Sequence, residues 1–553
     1  MSHESRWTGP FVTLKEDVAL RADEVLFADV EVTAAANGVV VSSGVGVATS
    51  APEEEPRMPH GAVAGEYVTP RSAFYDQGRF GRLFPSLPPF ASDTPLVRDA
   101  LTELGASGGP MDAADDLSDP ITLITDPAKS VNNPDNPDST AGFTFFGQFL
   151  DHDMTFDPTS SLARRQDPEA LRNFRIPALD LDSLYGSGPV ASPHLFDQTV
   201  NGGATTLLVE TNPGSGVVSI DGTDRFDQPR NSQGVALIGD PRNDENLVVS
   251  QFHLAVTRFH NRVVADVSAE LGPGVTPQEV FAEAQRVVRW HYQWLVLHEF
   301  LPRTVGDELT NDVLENGPNH YRWRNDPFIP VEFAVAAYRF GHSQVRPSYR
   351  ANFGTSATDP AQQFFGLLFD STLPAAPDPD DLRGGRRAPR RFIDWQTFFD
   401  FGDGRVRHNK IIDTRLSTVL FALMGQAVGE PTSLATRNLL RSLALQVPSG
   451  QRVANAMEVP ALADADLVDL APFELQNRTP LWFYILREAH VVADGRHLGP
   501  VGGRIVAEVL VGLIGGDRFS YLRQDPDWTP TYGSGDEFTV PDLLQAAGVV
   551  APL

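Results

Sequence analysis

The stretch Phe143–Asp157, FTFFGQFLDHDMTFD, sets Gln148, Asp151, His152 and Asp153 inside an otherwise apolar, aromatic run. A chain that buries those phenylalanines must find partners for the polar groups between them. Read as a helix, Gln148, Asp151 and His152 fall at i, i+3 and i+4 and share one face, while Asp153 turns about 100° away. Such a helix can serve two sites at once. The competing reading is an amphipathic helix whose histidine is satisfied by ordinary hydrogen bonds, and this stretch alone leaves both open.

Composition narrows the chemistry. The chain has no cysteine, which removes disulfides, iron–sulfur clusters, thiolate-ligated haem, c-type haem attachment and cysteine-ligated zinc. Any metal must be held by His, Asp, Glu, Tyr, Met or carbonyl oxygen. With 44 basic against 72 acidic residues the net charge is −28, which argues against nucleic acid or an anionic membrane as the main partner. The start, MSHESRWTGPFV, lacks a basic region followed by an apolar core, so no ordinary signal peptide is visible. No apolar run approaches the roughly 20 residues of a membrane span. The expectation is a soluble protein, cytoplasmic or exported by a signal-less route.

The 553 residues leave ample room for a large core. Residues 1–60 alternate short Val-rich runs with Ala, Gly and Ser and end in APEEEPRMP, which reads as a β-leaning or disordered N-terminal extension. Residues 61–553 form the main domain. From about residue 95 the apolar spacing is helical, most clearly over Asn246–Leu271 and Pro277–Leu301. The segment Ser371–Arg391, with an acidic block and then a basic block, reads as solvated surface. The fold class is mainly α.

Four further constellations carry candidate chemistry. In GDPRNDENLVVSQFH, Arg242 and Glu245 lie three apart at a helix start, either sharing a face or serving the helix dipole. In VEFAVAAYRFGHSQ, Arg339 and His342 are three apart on an alanine-rich helix, where small residues let something flat approach. Asn438 and Arg441 repeat that spacing in RNLLR, as a ligand-orienting pair or as surface and capping groups. In IPALDLDSLYGSG, Asp180 and Asp182 alternate before a Tyr-Gly turn, which suits calcium but is also common without an ion. His260, Asn261, His291 and His298 read as structural.

Taken in order, GQFLDHD, the Arg-x-x-Glu of PRNDE, YRFGH, RNLLR and LDLDSLYGS resemble the motifs of the animal-type haem peroxidases, the peroxidase-cyclooxygenase superfamily that includes myeloperoxidase and peroxinectin-like proteins. The similarity runs over roughly residues 80–530 and takes in TPLWFYILREA and GPVGGRIVAEVLVGLI. It implies a myeloperoxidase-like helical fold around haem b. It also implies His152 as the distal acid–base residue, Gln148 beside it, Arg242 as the distal arginine and His342 as the proximal iron ligand. Asn438 is expected to accept a hydrogen bond from the unligated nitrogen of His342, and Arg339 and Arg441 to pair with the propionates.

By the same resemblance Asp151 and Glu245 match the carboxylates that can form ester links to the haem. A methionine that gives some members a sulfonium link is replaced here by Asn246, so that link is absent and chloride becomes a less suitable donor than bromide, iodide, thiocyanate or phenols. The family's calcium ligands map onto Asp153, Asp180 and Asp182 with the carbonyls of Ile176 and Ala178. Isoleucine stands where some members have threonine, and Asp182 where some have serine. The implied activity is reduction of hydrogen peroxide with oxidation of organic or halide donors through a ferryl radical state. The alternatives are a fatty-acid oxygenase of the same superfamily, with Tyr338 near the haem, and a non-catalytic peroxinectin-like adhesion protein.

Overall fold

The computed structural model describes residues 29–35, 38–44 and 78–550, except 158–161, 163–165, 168–170, 211–225, 324–325, 355–362, 375, 377, 387–389 and 427–428. The chain divides into two units, Met1–Glu55 and Pro56–Leu553. In the first, strands β1 (Asp29–Ala35) and β2 (Gly38–Gly44) pair antiparallel, with Ala35 opposite Gly38 at the turn. The rest of the predicted extension lies outside the described residues.

The second unit is mainly helical. Among the described residues its strands form three small sheets. Strand β3 (Gly78–Gly81) pairs antiparallel with β5 (Arg172–Asn173) and parallel with β6 (Ile329–Pro330). Strand β4 (Asp135–Thr140) pairs with β9 (His408–Lys410), and β7 (Ser348–Asn352) with β8 (Phe364–Leu367), both antiparallel.

Seven helices position the site: α1 (Gly142–Met154), α2 (Leu247–Leu271), α3 (Pro277–Trp294), α4 (Gly341–Gln344), α5 (Leu434–Ala444), α6 (Leu481–Ala493) and α7 (Pro500–Gly516). Helix α1 is sunk in aromatic side chains. Phe146 and Phe149 meet Phe252 of α2 at 5.5 and 5.3 Å between ring centroids, and Tyr292 of α3 at 6.4 and 6.1 Å. Each fully buried phenylalanine contributes roughly 1.5–3 kcal/mol of hydrophobic stabilisation, so this seam fixes α1 against α2 and α3.

The helix starts follow their sequence signals. Asn246 caps α2 by accepting from Val249 N at 2.9 Å. Thr276 and Glu279 form a capping box at the start of α3, with Pro277 in the first turn. The predicted single helix Pro277–Leu301 instead passes into a π-helical segment, Leu295–Phe300, before the α-helical turn Leu301–Val305. The segment holding His342 also differs from expectation. It is three short pieces, Val331–Ala334, Ala337–Phe340 and α4, broken at Ala336 (φ −130°, ψ −75°). Arg339 Nε takes the Ala334 carbonyl at 3.0 Å, an acceptor that a continuous helix would keep for its own backbone.

Ser371–Arg391 is solvated as predicted over most of the described residues of 371–380 and turns inward at Asp381, Leu382 and Arg391. Arg391 is fully buried and donates to the carbonyls of Pro379, Asp381 and Arg383. Gly384 N donates to Glu245 O at 2.9 Å, and a Cβ at Gly384 would fall 1.5 Å from Asp244 O, so only glycine allows this close approach. The loop thereby braces the turn that carries Arg242 and Glu245.

Helix α7 is started by a buried carboxylate from α6. Glu488 accepts from Val501 N and Gly502 N at 3.0 and 3.1 Å, and burial pushes its pKa up to about 7. The folded pKa is raised above the unfolded value, so the stability linked to Glu488 falls as pH rises through the interval from about 4.5 to about 7. E488Q is therefore expected to gain on wild type in Tm between about pH 5 and about pH 8, whatever its constant offset. A difference in Tm that does not change with pH would contradict this.

Candidate active site

His152 projects from the last turn of α1 and is 4% exposed. Its Nδ1 lies 2.8 Å from Oδ1 of Asn243, and Nδ2 of Asn243 lies 3.0 Å from Nδ1 of His253 on α2. Burial, then the charge of Arg242, lowers the His152 pKa, with Glu245, Asp240 and Asp151 opposing. The imidazole is thus neutral at neutral pH and able to accept a proton.

Arg242 and Glu245 do not begin the long helix. They belong to the 3₁₀ turn Pro241–Asp244 and its C-cap, one residue before Asn246. The Arg242 guanidinium is spread over fixed acceptors: Nη2 donates to His152 O at 2.9 Å, Thr155 O at 2.6 Å and Asp240 Oδ2 at 2.8 Å, and Nε donates to Asp240 Oδ1 at 3.0 Å. It caps the C-terminal end of α1, where cations are favoured. Gln148 donates to Glu245 in a short hydrogen bond and accepts from Asn246 Nδ2 at 3.1 Å. Asn246 therefore caps α2 and orients Gln148. Asp151 Oδ1 accepts from Thr155 Oγ1 at 3.1 Å.

On α4, His342 Nδ1 lies 2.8 Å from Asn438 Nδ2, while Asn438 Oδ1 accepts from Arg339 Nη1 at 2.9 Å. The amide thus faces the ring with its nitrogen, the reverse of the expected polarity, because Arg339 occupies its oxygen. Burial, then Arg339, lowers the His342 pKa to about 3. Burial, then the charge of Arg441, lowers that of Arg339 to about 10, and burial lowers that of Arg441. Asp151 on α1 acts on the charge of Arg339, so the two groups of residues share one electrostatic environment. Tyr338 links them directly, its hydroxyl donating to Gly147 O of α1 at 3.1 Å.

These residues fit haem. Gln148, Asp151, Arg242, Glu245, Arg339, His342 and Arg441 are half-buried. A Cβ built on Gly341, next to His342, would meet nothing within 4 Å. The donor set is also suitable: neutral imidazoles, and two deep guanidinium groups whose mutual repulsion favours anionic ligands such as propionates.

The predicted calcium ligands are engaged by the protein's own groups. Asp153 accepts from Leu181 N at 3.0 Å, Ser183 N at 3.2 Å and Ser183 Oγ at 2.7 Å. Asp182 accepts from Ile176 N at 3.0 Å and from Arg175 Nη1 at 3.3 Å, and Asp180 from Asp182 N at 3.3 Å. The Ile176 carbonyl accepts from Ala178 N at 2.9 Å, and the Ala178 carbonyl from Gln293 Nε2 at 3.4 Å. Among the described residues no group of three or more His, Asp or Glu is arranged to hold a metal. The positive charge at this loop comes from Arg175, 6% exposed, which also pairs with Asp240. Burial and then Asp182 push Asp153 and Asp180 up to about 6 and 7, so protonation removes part of the remaining like-charge crowding.

Asn243, His253, Asp240 and Arg175 were not singled out by sequence. A polar residue in a Pro-Arg-Asn-Asp turn carries no local signal, and the contact with His253 exists only once α2 folds back on that turn. The histidines read as structural are engaged elsewhere. His260 contacts Tyr185 OH at 3.0 Å and Thr205 O at 2.9 Å, and Asn261 accepts from Leu207 N at 2.8 Å. His291 accepts from Thr531 N at 3.0 Å, and His298 contacts Tyr521 OH at 2.9 Å.

Residues 167–372 match the family model for animal haem peroxidases. The chorion peroxidase of Aedes aegypti is 30% identical over 137 residues, covering 24% of this chain and 17% of that protein. Thyroid peroxidase of Homo sapiens is 27% identical over 215 residues, covering 36% of this chain and 22% of that protein. The matched stretches thus span only about a fifth of these curated relatives. In structure, peroxidase A from Dictyostelium discoideum superposes with a TM-score of 0.50 at 17% identity, covering 82% of this chain and 89% of that one, a likeness of fold. The chain is therefore similar to animal haem peroxidases over residues 167–372 and shares its fold with peroxidase A.

Because Arg175 supplies the loop's charge, EGTA and calcium are expected to leave the Tm unchanged within about 1 °C. R175M, which strands Asp240 and Asp182 without that partner, should cost about 3–5 kcal/mol in chemical denaturation. A calcium-dependent rise in the Tm of wild type would restore the calcium assignment.

Proposed function

We propose that this chain is a haem-dependent peroxidase that reduces hydrogen peroxide with two electrons from its donor, giving two water molecules with phenolic or organic donors and one water molecule plus the hypohalous acid, or its thiocyanate counterpart, with halide or pseudohalide donors. The observation that carries this reading is a buried His152 whose helix is joined, through Tyr338 and the charge of Asp151, to the segment that bears Arg339 and His342. In the proposal residues 1–60 are an extension and residues 61–553 the peroxidase domain.

His342 would ligate iron through Nε2, which requires Nδ1 to keep the ring proton and the Asn438 amide to turn its oxygen to it. Arg339 and Arg441 would hold the propionates, and Asp151 and Glu245 offer carboxylates for ester links. Bound haem supplies two-electron redox chemistry and an acceptor site for peroxide oxygen. The protein's part is proton handling. His152 takes a proton from one oxygen of peroxide and returns it to the other, which leaves as water. Arg242 keeps positive charge near the oxygen as negative charge develops, and its bonds to His152 O and Thr155 O fix the imidazole's backbone. Gln148 is held by Glu245 and Asn246.

With Asn246 at the methionine position no sulfonium link can form, so bromide, iodide, thiocyanate and phenols are the proposed donors rather than chloride. The oxygenase alternative is disfavoured by Tyr338, whose hydroxyl donates to Gly147 O and whose pKa burial pushes well above the usual phenol range. The adhesion alternative has no use for the paired imidazole environments.

His152→Leu in haem-supplied protein should leave haem uptake intact and slow peroxide-driven oxidation of a phenolic donor by at least about 100-fold. Steady-state turnover equal to wild type would remove His152 from the acid–base role.

A further inference from the structure

Behind His152 lie two buried side chains that the proposed proton transfer does not itself use. Asn243 is fully buried and His253 is 2% exposed. Asn243 Oδ1 stands 2.8 Å from His152 Nδ1, and its Nδ2 stands 3.0 Å from His253 Nδ1. A carbonyl oxygen only accepts, so this contact is a hydrogen bond only if His152 carries its proton on Nδ1. An amide nitrogen only donates, so His253 Nδ1 must be bare. One proton arrangement satisfies both bonds with the amide set this way.

We infer that Asn243 is a positioning residue that selects the His152 tautomer with a bare Nε2, and that His253 anchors the Asn243 amide against turning over. The inference rests on the proposed peroxidase function for its catalytic consequence, though not for its geometry. The opposite amide setting would present N–H to His152, move the ring proton to Nε2 and leave no lone pair there to receive a proton. Only Asn243 bonds Nδ1 in the described structure. Arg242, Glu245, Asp240 and Asp151 act on His152 through charge alone or, for Arg242, through its backbone carbonyl.

The backbone holds Asn243 where this is possible. Asp240 caps the turn by accepting from Arg242 N at 2.9 Å, Asn243 N donates to Asp240 O at 3.0 Å, and the Asp240 carboxylate is locked by Arg175 and Arg242. When His152 takes up a proton at Nε2, Nδ1 still donates to Asn243 Oδ1. The imidazolium keeps its orientation, and the proton can be handed back without any ring motion. Asn243 changes neither charge nor protonation in the cycle.

The test uses full-length chain with and without haem. Asn243→Leu removes both hydrogen bonds at similar volume, and Asn243→Asp keeps an acceptor oxygen toward His152. In [¹⁵N]histidine spectra, with the His152 signal identified by its loss in H152Q, wild type and N243D should show His152 protonated at Nδ1, and N243L should not. In stopped-flow, N243L should take up haem as wild type does and react with hydrogen peroxide about 10–100-fold more slowly, and N243D should recover most of that loss. An N243L chain that retains the Nδ1 proton and the wild-type rate overturns the inference. Should N243L fail to fold, His253→Leu decides: a mixture of His152 tautomers supports the anchoring role, and a single unchanged tautomer overturns it. Haem-loaded wild type that is inert to peroxide would defeat the peroxidase reading, while the tautomer measurement would still decide this one.

Discussion

Asp240 holds the active region together. Its carboxylate is completely buried, and burial alone would raise its pKa, yet Arg175 and Arg242 hold it well below the ordinary carboxylate range. Through Arg242 it fixes the carbonyls of His152 and Thr155 at the end of α1, and through Arg175 it fixes Asp182 and the Gly239 carbonyl. A buried charge paired on both sides tolerates the loss of neither partner, because the remaining charge has no water to turn to. The turn, the end of α1 and the aspartate loop are consequently one rigid unit.

His152 and His342 are each governed by an asparagine amide, with opposite polarity. Asn243 meets His152 with its oxygen, while Asn438 meets His342 with its nitrogen because Arg339 holds the other end of that amide. Each amide couples an imidazole to something more remote: His253 on one side and the arginine pair on the other. At His152 the amide sets which nitrogen carries the ring proton, whereas iron ligation by His342 through Nε2 would require the Asn438 amide to turn over. Peroxidase chemistry depends on such placement, since a base whose ring proton sits on the wrong nitrogen cannot act.

Much of this was legible in the sequence where the signal is local. The capping box at Thr276, the cap at Asn246 and the aromatic run of α1 each announce their element through neighbouring residues. The family motifs singled out Gln148, His152, Arg242, Arg339, His342 and Asn438, which the fold places in two hydrogen-bonded groups. What escaped was non-local. The Asn243–His253 contact spans ten positions and needs α2 folded back on a turn, and the burial of Arg391 depends on three carbonyls that converge only in the folded loop. The broken path around Ala336 reads as helix because alanine favours helix, and Arg339 overrides that preference by taking the Ala334 carbonyl.

The central claim is that α1 and α4 contribute to one haem site with His342 as the iron ligand. Titration of purified protein with haem, followed by Soret absorbance in wild type and in His342→Ala, tests it most directly. The account predicts saturation at one haem per chain in wild type and loss of the histidine-ligated spectrum in H342A. Wild-type protein that takes up no stoichiometric haem, or an H342A spectrum identical to wild type, would contradict it.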